Sequence, residues 1–250
     1  MKFYEFIYKT FARPVKWFYK AHVTGAENVP EEGGCLLCAN HTSMHDVVVL
    51  AAALPRQPRY MAKKELFRIP LLAQLIRALG AFPVDRGGSD VSSIRKSIAM
   101  INGGEMVTMF PQGHRRRGVP ARGSEVKSGA GLLAYRTGAP VLPVYIGTAK
   151  SQVKPFRRPD IIIGKPIPNS GLGFENGGSA EYTRASQIIF DAICDLGEGA
   201  DGSDKAGVSG AVGADTTGAP DSADAPETLA DAPDTADTSR TEGGAAGGTE

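Results

Sequence analysis

Between about residues 33 and 196, short apolar runs alternate with longer stretches in which apolar residues recur every three or four positions. The short runs are typical of buried strands, whereas the longer pattern is typical of amphipathic helices. Strands are predicted at 35–39, 59–62, 82–84, 106–110, 141–146 and 160–164. Helices are predicted at 46–54, 70–79, 91–101, 128–137 and 180–196. This alternation indicates an α/β fold, a single domain with a largely parallel central sheet flanked by helices.

An amphipathic segment, residues 1–30, precedes that domain, which is assigned to residues 31–198. Aromatic residues are interleaved there with lysines and arginines, and no stretch approaches the roughly 20 apolar residues that span a bilayer. Rings at the acyl boundary and cations among headgroups are typical of a helix lying in a membrane surface. We therefore expect a helical membrane-surface segment, broken or kinked at Pro14, with an anionic membrane as partner. The alternative is a helix packed on the domain's own core.

The last part of the chain, residues 199–250, has a different composition. From Asp201 onward it contains no Phe, Trp, Tyr or Ile, and its eleven acidic residues face only Lys205 and Arg240. Such a segment cannot bury enough apolar surface to offset its ordering entropy, so a disordered acidic tail is predicted.

The whole-chain net charge of +1 therefore conceals a basic body, because residues 1–200 carry 26 basic and 16 acidic residues. A basic body suits phosphate, nucleic acid or an acidic membrane surface as partner. No nucleic-acid reader motif accompanies the cations, so nucleic acid is not expected.

Three cysteines make an odd count, and the N-terminus lacks the pattern of a secretory leader. Both features favour a reducing, cytoplasmic setting. Cys35 and Cys38 form a C-x-x-C, but they lie on a predicted buried strand, where positions three apart face opposite sides. With no second cysteine pair to complete a zinc site, we interpret them as structural.

The segment Asn40-His41-Thr42-Ser43-Met44-His45-Asp46 follows the first predicted strand. His41 and Asp46 can meet if His41 lies in the loop and Asp46 in the first helical turn, with Thr42 or Ser43 as N-cap. The carboxylate would then orient the imidazole and leave its other nitrogen as a base. Backbone N–H groups at the start of that helix are candidate oxyanion donors. A structural histidine explains this spacing equally well when it is taken alone.

His41 and His45 also have the i, i+4 spacing of zinc-binding helices. Position 42, however, is Thr where a metalloprotease carries its Glu, and only two further histidines are available. No metal is expected.

A glycine-rich run at 129–134 fits a loose dinucleotide-binding fingerprint. No strand is predicted immediately before it, so small residues at the start of a helix explain the run better.

Three further blocks accompany the His-Asp segment: Gly80-Ala-Phe-Pro-Val-Asp-Arg86-Gly, then Phe110-Pro-Gln-Gly-His-Arg-Arg-Arg117, then Ala139-Pro-Val-Leu-Pro-Val-Tyr145. With these four blocks in order, residues 20 to 170 resemble the glycerolphosphate acyltransferase superfamily, and within it the lysophosphatidate acyltransferases. The resemblance implies that His41 deprotonates the acceptor hydroxyl, Asp46 orients His41, and Arg86 and Arg115 bind the acceptor phosphate. It also implies direct transfer from acyl-CoA or acyl carrier protein, without a covalent acyl-enzyme, cofactor or metal.

The chemistry of such a transfer agrees with these residues. A thioester is already activated, so the main need is a base for a weakly acidic alcohol, and histidine suits this near neutral pH. The phosphate needs fixed cations, and arginine grips two oxygens at once. Lys63 and Lys64, which follow another predicted strand, are further phosphate candidates.

Gln112 departs from the resembled family, whose third block reads Phe-Pro-Glu-Gly-Thr-Arg; here Gln112, Gly113 and His114 stand for Glu-Gly-Thr. The lost carboxylate leaves the arginine-rich block more positive. This departure affects the predicted identity of the acceptor more than the predicted type of reaction. Pro143 is the corresponding motif residue of the fourth block.

The sequence therefore predicts a peripheral or monotopic enzyme at the cytoplasmic face of a membrane that converts lysophosphatidate to phosphatidate in phospholipid synthesis. Two alternatives stay open. One is an acyltransferase for another lysophospholipid or polar lipid, and the other is a non-catalytic membrane- or phosphate-binding module.

Overall fold

Seven strands form one sheet in the computed structural model, which describes residues 17–84, 91–116, 119–147, 153 and 158–204. The strands are β1 (His22–Thr24), β2 (Cys35–Ala39), β3 (Pro58–Lys63), β4 (Ala81–Val84), β5 (Met106–Met109), β6 (Val141–Gly147) and β7 (Asp160–Ile163). Their order across the sheet is β1-β7-β6-β2-β5-β3-β4. Strands β2 to β6 are parallel to one another, and β7 and β1 run the opposite way. The predicted α/β class with a largely parallel sheet is confirmed.

The helices are α1 (His45–Ala53), α2 (Pro70–Ala78), α3 (Val91–Asn102), α4 (Gly129–Thr137) and α5 (Ser179–Asp204). Every predicted strand and helix is present, and their ends differ from the prediction by at most one residue, except the end of α5. That helix continues from the predicted residue 196 to Asp204, into the segment predicted as tail. Arg122, from the preceding part of the chain, pairs with Asp195 and Glu198 close to the predicted end of this helix. Residues 205–250 are not among those described.

The central strand β2 explains why the sheet is covered on both sides. All five of its residues are buried, as expected for a strand inside a parallel sheet. Cys35, Leu37 and Ala39 pack with α1 on one face, whereas Leu36 and Cys38 pack with α3, α4 and α5 on the other. The structural interpretation of Cys35 and Cys38 is confirmed, since both are free, buried and on opposite faces. Burial also raises the pKa of Cys35 to about 11, which disfavours its thiolate.

The predicted membrane-surface segment is described only from residue 17, and there the chain joins the domain. Trp17 is 78% exposed, but Tyr19 and Val29 are buried in the core, and β1 pairs with β7 at the sheet edge. The boundary predicted at residue 31 is therefore too late. A three-residue strand whose pairing partner lies more than 130 residues away has no local pattern that could reveal it. Residues 1–16, with Pro14, are outside the described part.

Within the described residues, none of the helices combines the length and apolar character needed to cross a lipid bilayer.

Gly131 lets α4 and α5 approach closely. A Cβ atom at this position would stand 2.1 Å from the backbone oxygen of Tyr182 on α5, and the Gly131 N–H donates to the Ser186 hydroxyl at 2.8 Å. The interpretation of the glycine-rich run as a small-residue helix start is confirmed, because close packing explains it.

Gly131→Ala should lower the free energy of unfolding by about 1–3 kcal/mol, because the added methyl group forces the two helices apart. Gly199→Ala is the matched control: its Cβ would meet nothing within 4 Å, so the exchange should be neutral or slightly stabilising. Urea unfolding followed by circular dichroism measures both. Equal stability of the Gly131 variant and the wild type would contradict the close approach.

Candidate active site

The candidate site lies at the edge of the sheet where β2 and β5 end. These strands are parallel neighbours, so the segments that follow them emerge side by side. Two hydrogen bonds join the segments: the His41 N–H donates to Oε1 of Gln112 at 2.8 Å, and the Arg116 N–H donates to the His41 carbonyl at 2.9 Å. The backbone of His41 is therefore held on both sides by the loop after β5.

His41 and Asp46 form the predicted pair. Nδ1 of His41 lies 2.8 Å from Oδ2 of Asp46, the second residue of α1, and the carboxyl group of Asp46 is fully buried. Because a carboxylate only accepts hydrogen bonds, the shared hydrogen belongs to Nδ1. Nε2 is then the basic nitrogen, on the side of the ring away from Asp46.

Asp46 also organises the loop between the two residues. Its Oδ2 accepts the N–H groups of Thr42 at 2.7 Å and Ser43 at 2.8 Å, and its Oδ1 accepts the Thr42 hydroxyl at 3.2 Å. Of the two predicted N-cap residues, Ser43 has the bonds of a cap: its Oγ accepts the His45 N–H at 3.2 Å, and Met44 between them already has helical dihedrals. The capping is reciprocal, because the carboxylate of Asp46 in the first turn also accepts the N–H of Ser43.

These hydrogen bonds also determine which backbone N–H groups remain available to stabilise an oxyanion. The N–H groups of Thr42 and Ser43 are taken up by Asp46, and the His45 N–H donates to Oγ of Ser43 at 3.2 Å. An N–H already engaged in this way is not free to stabilise a developing oxyanion. The expectation that the start of the helix supplies the oxyanion donors is therefore wrong for these three groups.

The ring of His41 is held in place by a neighbour that the sequence reasoning missed. Phe110, directly after β5, stacks on the imidazole with ring centroids 4.0 Å apart and planes 16° apart. The His41 side chain keeps 16% of its surface exposed. An imidazole that is fixed and only slightly exposed can be approached by a reacting group mainly from one direction.

Asn40 ties this end of β2 to β6. Its Nδ2 donates to the carbonyl of Ile146 at 2.9 Å, and its Oδ1 accepts the Ile146 N–H at 2.7 Å. The amide thus replaces a backbone ladder pair at the point where the strand turns into the loop that carries His41. Asn40 stands next to His41 in the sequence, but nothing local indicates a partner 106 residues away.

The predicted phosphate-binding residues lie along the same edge. Arg115 is exposed in the loop after β5, and Lys63 and Lys64 are exposed where β3 ends, with β5 between β3 and β2. Arg86 follows the end of β4 but belongs to residues 85–90, of which the structure describes nothing. The backbone N–H of Arg116 donates to the His41 carbonyl and so holds Arg116 near the dyad. The sequence analysis did not single out Arg116.

The other two motif residues, Gly113 and Pro143, lie at positions that support the local backbone structure. Gly113 has a φ of +71°, which favours glycine, and its N–H closes the turn onto the Phe110 carbonyl at 2.9 Å. Pro143 is buried in β6 opposite Cys38, and its carbonyl accepts the Gly164 N–H.

His45 has a different partner from His41. Its Nδ1 lies 2.6 Å from the hydroxyl of Tyr19, so the two histidines are engaged separately. Over the described ranges, no group of three or more His, Cys, Asp or Glu residues is arranged to hold a metal ion.

Comparison with known proteins bears on these residues. The family model described as Acyltransferase matches residues 20–147, which include His41, Asp46, Gln112 and Arg115. The match spans about half of the chain.

Three curated relatives are named 1-acyl-sn-glycerol-3-phosphate acyltransferase. The Bacillus subtilis protein is 35% identical over 58% of this chain and 72% of its own length. The chloroplastic protein BAT2 of Brassica napus is 31% identical over 78% of this chain and 54% of its own length. The Streptococcus pneumoniae protein is 34% identical over 67% of this chain and 63% of its own length. The chain thus spans less than two thirds of the latter two relatives.

The fold has a counterpart among solved structures. The crystal structure of the 1-acyl-sn-glycerophosphate (LPA) acyltransferase PlsC from Thermotoga maritima superposes with a TM-score of 0.54 at 22% identity. The superposition covers 77% of this chain and 82% of that one, which shows the same fold. From the family match and the sequence relatives together, the chain belongs to the acyltransferase family, and within it to the 1-acyl-sn-glycerol-3-phosphate acyltransferases.

Proposed function

We propose that this protein is a 1-acylglycerol-3-phosphate O-acyltransferase that transfers a fatty acyl group from a thioester to the free hydroxyl of lysophosphatidate. The product is phosphatidate, an intermediate of phospholipid synthesis. The donor is acyl-CoA or acyl carrier protein, and no cofactor takes part.

The reaction follows from the chemistry of the dyad. Nε2 of His41 accepts the proton of the acceptor hydroxyl as its oxygen attacks the thioester carbonyl carbon. The tetrahedral intermediate collapses with cleavage of the C–S bond, and the leaving thiolate takes the proton from the imidazolium. Asp46 keeps the imidazole in the required tautomer and stabilises its charged form. The acyl group passes directly between substrates, without an acyl-enzyme.

One observation carries this proposal: the buried carboxylate of Asp46 bonded to His41, whose backbone is also fixed on both sides. A non-catalytic binding module has no use for an imidazole fixed in this way. Preorganisation of the base lowers the barrier because the geometry need not be assembled during reaction.

The acceptor phosphate is bound in this proposal by Arg86 and Arg115, with Lys63 and Lys64 as further cations. Arg115 follows β5 and the two lysines lie at and after the end of β3, which puts positive charge along the sheet edge that carries His41. The enzyme works as a peripheral or monotopic protein at the cytoplasmic face of an anionic membrane, where its lipid acceptor resides.

Thin-layer analysis of products from the purified protein, labelled acyl-CoA and a panel of lysolipids tests the assignment. We expect labelled phosphatidate from lysophosphatidate. Transfer only to another lysolipid would change the acceptor, and transfer to none would refute the proposal.

His41→Ala should lower kcat by about 10²–10⁴-fold, because the general base is lost. Asp46→Asn should also cost heavily, since it removes the charge that orients the imidazole and stabilises the imidazolium. His45→Ala, in the same helix but bonded to Tyr19, is the control and should cost much less. Initial rates and thermal unfolding are measured together, and substantial turnover by a folded His41→Ala protein would rule out this mechanism.

Arg86→Ala should raise the KM for lysophosphatidate far more than the KM for the acyl donor, because its proposed partner is the acceptor phosphate. Arg136→Ala, an exposed arginine on α4, is the matched control and should change neither constant. An equal effect of the Arg86 change on both substrates would mean that it does not bind the phosphate.

Gln112→Glu should stay active, because a carboxylate can accept the same hydrogen bond from the His41 N–H. Gln112→Ala should lower kcat about tenfold or more, since it leaves that N–H unpaired beside the base. The sequence analysis linked Gln112 to acceptor affinity, whereas the structure places its oxygen on the backbone of His41. Steady-state kinetics with lysophosphatidate and a zwitterionic lysolipid separate the two roles: a change confined to acceptor KM would support the earlier interpretation.

A further inference from the structure

The segment from Lys63 to Ala78, hereafter the α2 surface, exposes large apolar side chains. It consists of the end of β3, a short 3₁₀ helix at Lys64–Arg68 and α2. Leu71 is 82% exposed and Leu75 is 52% exposed, and Leu66 and Ile69 are exposed beside them. Removing each of these apolar side chains from water would be favourable, so their exposure indicates a surface that binds a partner.

Helix α2 carries apolar residues on two sides, because Leu72 and Ile76 are partly buried whereas Leu71 and Leu75 are exposed. Its one fully buried residue with a described side chain is the small Ala73. At 100° per residue, Leu71 and Leu75 each lie roughly 200° from Ala73 around the helix axis, on the outward face. A helix that only covered the sheet would turn its leucines inward. Here Ala73 and the partly buried Leu72 and Ile76 form the inward side, and the side chains of Leu71 and Leu75 are left in solvent.

The charges around this face are almost all positive. Lys63, Lys64, Arg68 and Arg77 lie within the α2 surface, and Glu65 is its only acidic residue. Arg77 also lies over the ring of Phe67, with 5.4 Å between the guanidinium carbon and the ring centroid. Cations in the same segment as exposed leucines are complementary to a layer with anionic headgroups above an apolar interior.

The α2 surface begins at the sheet edge that carries the dyad. Lys63 ends β3, β5 is its neighbour, and β2 leads into His41. All three strands are parallel, so a membrane that contacts the α2 surface lies near the edge where His41 takes its substrate.

We propose that the α2 surface docks on an anionic phospholipid membrane, with Leu71 and Leu75 inserted among the acyl chains and the four cations among the headgroups. This surface is distinct from the N-terminal aromatic segment, and its docking does not require that acyl transfer occurs. A second copy of the chain fits less well. A symmetric dimer through this face would bring two sets of four cations together, which is unfavourable.

Vesicle co-sedimentation with the full chain is the first test. The wild type should bind vesicles of equal parts phosphatidylglycerol and phosphatidylcholine, and added salt should weaken binding. The affinity of the double variant Leu71→Gln/Leu75→Gln for these vesicles should be lower by about tenfold or more. Ile188→Gln, an exposed apolar position on α5, is the matched control and should bind like the wild type. Unchanged binding by the double variant would overturn the proposal.

The charge contribution is tested separately. Arg68→Gln should weaken binding to the phosphatidylglycerol vesicles, and Arg136→Gln, on α4, should not. If both arginine changes weaken binding equally, the attraction comes from overall charge and not from the α2 surface.

Insertion itself is tested with an environment-sensitive fluorophore on Leu71→Cys. The three native cysteines are buried, and burial raises the pKa of Cys35 and Cys194 to about 11, so labelling should favour the introduced thiol. The label at position 71 should shift to the blue with vesicles and be quenched by nitroxide lipids. A label on Ile188→Cys should do neither. Absence of a shift at position 71 would mean that α2 stays outside the bilayer.

Two controls distinguish membrane docking by the α2 surface from a dimer interface and from the proposed enzyme function. Sedimentation velocity without vesicles detects a dimer: if Leu71→Gln/Leu75→Gln breaks a dimer but binds vesicles normally, the α2 surface faces a second copy and the proposal is wrong. Turnover of a short-chain, monomeric lysophosphatidate should persist in the double variant while turnover on vesicles falls. Failure of the wild type to acylate any lysolipid refutes the proposed enzyme function alone.

Discussion

The geometry of the candidate active site depends on the buried carboxylate of Asp46. A buried carboxylate is costly unless hydrogen bonds satisfy it, and this one accepts from the His41 ring, from two loop N–H groups and from the Thr42 hydroxyl. Those bonds determine the path of the loop from β2 into α1. The carboxylate that bonds to the imidazole is thus also the group that shapes the loop carrying it, so ring orientation and local folding are one constraint.

The parallel sheet supplies the second half of the site. Because β2 and β5 run side by side in the same direction, the loop after β5 reaches the backbone of His41 from the neighbouring strand end. Gln112 and Arg116 hold that backbone, and Phe110 holds the ring. Asn40 adds the tie to β6 on the other side. Each contact is modest, but together they restrict both the backbone and the ring of His41.

The same edge relates the chemistry to a lipid substrate. The α2 surface starts where β3 ends, and its exposed leucines and cations are the features of a protein that meets a membrane. A lysophospholipid presents a phosphate and hydroxyl at the headgroup level and an acyl chain below it. A base, phosphate-binding cations and an apolar docking face along one edge would match these parts without the lipid leaving the membrane.

The sequence by itself determined the fold class, nearly every element and the dyad, because each leaves a local pattern: apolar runs for strands, three-to-four periodicity for helices, and a spacing of five positions from His41 to Asp46. The family resemblance indicated acyl transfer. Only the tertiary structure decided what depends on distant partners. The edge strand β1 pairs with β7, Gln112 bonds to a backbone 71 residues away, and Asn40 bonds to Ile146. The outward face of α2 belongs here too, since periodicity reveals that a helix has an apolar side but not whether that side meets the core or the solvent.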